Sequence, residues 1–116
     1  MSDSIPREIY FLLDARGALI VFEEKRASWV GVLGFSSERA ALDFIRTTRL
    51  DASDVAAIDA HDSASVAGLI SLLKPRAVRN LILDLDYRTG DYLQVEFEGD
   101  RFGAPTSRKM EPAKTQ

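Results

Sequence analysis

The chain has no cysteine among its 116 residues. That absence removes disulfides, thiolate nucleophiles and cysteine-based zinc or iron–sulfur sites together, and it fits a reducing compartment. Histidine occurs once, as His61, so base chemistry near neutral pH has a single imidazole to draw on. No apolar run approaches the roughly 20 residues a helix needs to cross a bilayer. The N-terminal Met1-Ser-Asp-Ser-Ile-Pro6 has no basic stretch followed by an apolar one, so a secretory leader is not expected. A cytosolic protein with no membrane partner is the expectation.

Positive charge is also in short supply. The net charge is −3, and residues 1–99 hold 11 Lys and Arg against 16 Asp and Glu, whereas residues 100–116 hold 4 against 2. An acidic body argues against nucleic-acid binding, which needs a basic surface to displace phosphate counterions. The short basic end reads as a solvated tail. Several motifs are missing too. Gly31 and Gly34 lack the spacing of either phosphate-binding loop. No Gly-x-Ser-x-Gly nucleophile elbow occurs. The calcium-loop pattern with its distal glutamate is absent.

What is present is the alternation of a small α/β domain. Glu8–Leu13, Ala18–Glu24 and Trp29–Phe35 are rich in branched and aromatic residues, and Asp14-Ala-Arg-Gly17 and Lys25–Ser28 separate them as turns. Short connections predict a three-stranded antiparallel meander. Gly31 and Gly34 mark a weakened strand or a place where something packs closely. Ser36-Ser37-Glu38 supplies a helix cap and a first-turn acid, and Ala41, Phe44, Ile45 and Thr48 share one face to about Arg49. Val55–Asp59 reads as a strand. Asp62 or Ser63 caps a second helix, in which Val66, Leu69, Ile70 and Leu73 form one apolar stripe before Pro75 stops it. Arg79–Tyr87 and Tyr92–Glu98 follow as a hairpin.

The predicted order is β-β-β-α-β-α-β-β. It describes an α/β (α+β) fold of two layers, a mixed sheet with both helices on one face, placed there by crossovers leading the same way. Residues 1–102 form one domain, and 103–116 read as a disordered tail. Ile82, Asp84 and Asp86 alternate with leucines, the pattern of a strand with one wet face. The other half of that open face is apolar, a candidate contact surface.

Strand ends are where α/β folds hold ligands, so Asp59, His61, Asp84 and Asp86 are the candidate binding residues. If the strands ending at Asp59 and Asp86 pair directly, the four converge. Such a cluster suits a hard cation and a small metal-dependent hydrolase, or a ligand sensor. Local duties compete with that reading: Asp62 as a cap, Asp86 beside Arg88, and His61 in a solvent-facing loop. No catalytic residue, metal or cofactor is assigned. Tyr10, Trp29 and Tyr92 are the aromatic candidates for an interface. The preferred expectation is a non-enzymatic protein-interaction module, with a protein partner or a homodimer formed through the sheet face or an edge strand.

The strand ending in Val21-Phe22, the helix start Gly34-Phe-Ser-Ser-Glu-Arg-Ala-Ala-Leu-Asp-Phe44 and the β-α-β order after it resemble the N-terminal domain of bacterial SseB-like proteins, over roughly residues 8–98. The resemblance implies a small α/β module without a recognised catalytic site, and it carries over no functional residue.

Overall fold

The computed structural model describes residues 5–24 and 29–109, the side chains of Glu24 and Trp29 apart. Its elements are β1 (Glu8–Leu13), β2 (Val21–Glu24), β3 (Trp29–Phe35), α1 (Glu38–Thr48), β4 (Asp54–Asp59), α2 (Ser63–Leu73), β5 (Asn80–Leu83), β6 (Asp91–Glu98) and β7 (Arg101–Lys109). The mixed sheet and the order of its first eight elements agree with the sequence reading. The seventh strand does not. Residues 103–109 belong to β7 where composition predicts a disordered tail, and residues 110–116 lie outside the described residues.

The sheet runs β4-β1-β3-β5-β6-β7, with β2 pairing β3 beside the main path. β1 therefore does not follow β2 across a simple meander. It lies between β4 and β3 and meets the approach to β2 only through the Leu13–Leu19 bridge. All the pairs are antiparallel except β3 with β5.

The chain enters α1 from β3 and crosses two positions in one direction to β4; it then enters α2 and crosses three positions back to β5. Crossovers of the same hand that run in opposite directions place their helices on opposite faces. The packing obeys this. Leu69 and Leu73 of α2 join Ile9, Phe11, Val32, Leu81, Leu83 and Val95. Ala41 and Phe44 of α1 join the alternate residues Leu12, Leu33, Phe35 and Ile82. The expectation of two helices on one face is thus corrected, because it assumed crossovers leading the same way.

A covered sheet changes the reading of β5. All four of its residues are buried, so Ile82 is core and not part of a wet face. The strand ends at Leu83, and Asp84 turns the chain with φ 55°. Beyond α1, which lies over β1, β3 and β4, the same face carries a polar row of buried Asn80 and Gln94 and exposed Arg108 instead of an apolar patch. Gln94 Nε2 donates to Asn80 Oδ1 at 2.8 Å, and Arg108 Nε donates to Gln94 Oε1 at 2.8 Å. Each buried amide thus has a partner, as the cost of desolvation requires.

Two glycines are fixed by close approach. A Cβ on Gly34 would lie 2.8 Å from both Ile9 Cγ2 and Leu81 Cδ1, which is the close packing expected of it. Gly103 sits beside the irregularity in the β6–β7 register, and a Cβ there would meet the Glu96 carbonyl at 2.9 Å.

Candidate functional site

The strand order decides the fate of the four candidate binding residues. β1 and β3 stand between β4 and β5, so Asp59 and Asp84 end strands three steps apart, a lateral separation of roughly 14 Å. Asp59 and His61 do not meet Asp84 and Asp86, and the direct β4–β5 pairing that would have joined them is absent. Among the described residues no three His, Asp or Glu side chains gather closely enough to hold a metal ion.

Each candidate has a local partner instead. Asp59 Oδ1 accepts the His61 N–H at 2.9 Å, and its Oδ2 lies 3.7 Å from Arg7 Nε. His61 is exposed beside the N-terminus of α2. Asp84 Oδ1 accepts the Ser36 N–H at 2.8 Å, tying the end of β5 to the start of α1. Asp86 Oδ1 accepts the Arg88 N–H at 2.9 Å and thereby shapes the hairpin turn. Asp62 stands at the N-cap of α2 without a side-chain cap bond, its Oδ2 instead accepting from Ser65 Oγ at 2.6 Å.

The aromatic candidates divide differently. Tyr92 is buried in the core beside α1, at 6% exposure, so it presents no surface in this chain. Tyr10 is half-buried, and its hydroxyl donates to Glu8 Oε1 at 2.8 Å. That bond raises the phenol above its ordinary pKa, with burial and the charges of Glu8 and Glu38 acting in the same direction. The Trp29 side chain lies outside the described residues.

One cleft does open at the carboxyl ends of the parallel pair β3 and β5, where α/β sheets place their ligands. It has a volume of about 390 Å³ and is walled by Phe35 and Ser36, by Ala40, Asp43, Phe44 and Thr47 of α1, and by residues 84–88 of the β5–β6 connection. Phe44 joins these walls. Its ring centroid lies 5.2 Å from that of Phe35 and 6.4 Å from that of Tyr87, the latter at right angles. Tyr87 stays 62% exposed at the rim.

Of the sequence candidates this cleft contains Asp84 and Asp86; Asp43, Phe44, Tyr87 and Arg88 were not singled out. The usable signal was Asp84-Leu-Asp86 ahead of Gly90, which spells a turn with local Asx bonds as readily as a strand. Read as a turn, it leaves Tyr87 outside the strand alternation and free to flank the helix.

The comparisons add no relative. No family model, curated protein or solved structure matches the chain.

Proposed function

We propose that this protein is a small interaction module that holds a segment of a partner protein in the cleft between α1 and the β5–β6 connection. The observation that carries the reading is Tyr87. A large aromatic ring 62% exposed, braced edge-on against the buried Phe44, is the kind of rigid anchor that binding surfaces concentrate. The loop that presents it is braced as well, because Asp84 ties it to the Ser36 N–H at the start of α1 and Asp86 accepts the Arg88 N–H within the turn. These carboxylates serve as scaffold, and a non-enzymatic role suits them. The resemblance to SseB-like domains implies a module of the same kind.

Self-association has less support than contact with a different protein. Ala60 N–H donates to the Arg7 carbonyl, and the paired register then turns the backbone groups of Val55, Ala57 and Asp59 outward along the free edge of β4. The Val55 N–H is covered by Asp54 Oδ1 at 2.8 Å, and the Asp59 carbonyl accepts the Asp62 N–H at 3.1 Å. With two of its outward groups covered, the edge is partly blunted against pairing with a second copy.

The test is selection of peptides from a random display library against the natural protein, followed by affinity measurement on a Tyr87→Ala variant whose circular dichroism is unchanged. Loss of about tenfold or more in affinity is expected for an anchor residue. Peptides that bind the variant as well as the natural protein would overturn the assignment.

A further inference from the structure

We infer that the partner segment inserts a lysine or arginine side chain into this cleft, an inference that rests on the cleft being the binding site. Along its lining three carboxylates, Asp43, Asp84 and Asp86, face one guanidinium, Arg88. Two of those carboxylates are half engaged. Asp84 and Asp86 each use Oδ1 to accept backbone N–H groups, at 2.8 Å from Ser36 and 2.9 Å from Arg88, and among the described residues neither Oδ2 accepts a hydrogen bond. Among the described residues Asp43 is paired across the exposed surface to Arg46, at 3.2 Å, a contact that solvent makes weak and exchangeable.

The shape and the charge select the same group. A long aliphatic stem can lie on apolar rings while its charged head reaches polar partners. Here the Phe44 and Tyr87 rings lie beside the three carboxylates. Tyr87 is mostly in solvent, so its ring is open to a cation. An apolar or acidic side chain in the same place would strip water from the carboxylates and return nothing, and a neutral donor would return a hydrogen bond without the opposite charge. The acidic body of the chain also draws a basic partner toward this surface.

The probes are the display-selected peptides, labelled for fluorescence anisotropy. They are expected to share a lysine or arginine, and its replacement by norleucine should weaken binding about tenfold or more, the scale of a lost charged anchor. Asp84→Asn and Asp86→Asn keep the bonds to Ser36 and Arg88, since an amide oxygen also accepts; each should weaken binding roughly threefold or more. Raising salt from about 50 to about 300 mM should weaken it further. Peptides that depend on Tyr87 yet carry no basic residue, or tolerate norleucine, would refute the cation while leaving the cleft in place. Peptides that ignore Tyr87 would remove the cleft itself and the cation with it.

Discussion

Asp14 holds the first turn together from a single side chain. Its Oδ1 accepts the Arg16 N–H at 2.8 Å and the Ala18 N–H at 3.1 Å, while Gly17 takes φ 79° between them. The Ala18 bond, then the Arg16 bond, lowers the carboxyl below its ordinary pKa. A depressed native pKa stabilises the fold fully above the unfolded value, near 3.9, and that contribution fades as pH falls through the lowered native value. Asp14→Ala should therefore melt earlier than the natural protein at pH 7, with the gap closing in strong acid. A gap that stays constant down to pH ~2 would show that the charge on Asp14 contributes nothing. Asp54, Asp59 and Asp86 likewise bond backbone N–H groups one or two residues on, and Asp84 bonds that of Ser36 across the fold. This is why the candidate site was only half legible from sequence. An aspartate that shapes a turn and one that waits for a ligand carry the same letter, and only the geometry of the neighbouring N–H groups separates them.

The helices were legible because each buries one stripe at the helical period. Ala41 and Phe44 of α1 and Val66, Leu69, Ile70 and Leu73 of α2 are all buried. Their starts differ in a way the letters hide. Ser37 Oγ accepts the Ala40 N–H at 3.1 Å, whereas Asp62 makes no side-chain cap bond. Ser37→Ala should cost about 1 kcal/mol in urea unfolding, and Asp62→Ala roughly half of that or less, since what is lost is its charge near the helix end and an exposed bond from Ser65 Oγ. Equal costs would contradict the capping geometry. For β4, removal of the carboxylate in Asp54→Ala uncovers the Val55 N–H on the free edge. Self-association measured by light scattering should then rise above that of the natural protein, and an unchanged mass at high concentration would deny Asp54 its protective part. β7 was the element that sequence concealed. Pro105, Thr106 and Ser107 carry no apolar alternation, and an edge strand needs none: it borrows its register from β6 and tolerates proline where no further strand asks for an N–H.

At the scale of the whole molecule, β7 is part of the domain and not an appendage. Phe102 packs on Phe97 with ring centroids 5.8 Å apart, and Gly103 is buried. A chain ending at Phe102 should lose roughly 10 °C or more from its melting midpoint; an unchanged midpoint would return residues 103–109 to the status of a tail. The placement of the helices escaped sequence reading for a different reason. Periodicity tells which stripe of a helix is buried but not which face of the sheet receives it, and that depends on β1 occupying the place between β4 and β3. The same arrangement divides the molecule along its length. The residues through Asp59 supply β4, β1, β3 and β2 together with α1, while the cluster beneath α1 is completed only by Ile82, Leu85 and Tyr92. The opposite face, with Ile9, Phe11 and Val32, waits for Leu69, Leu73, Leu81 and Leu83. On a ribosome that half emerges first, so until α2 and β5 are made the nascent chain exposes apolar surface that the finished fold covers, and that interval is when a chaperone has most to hold.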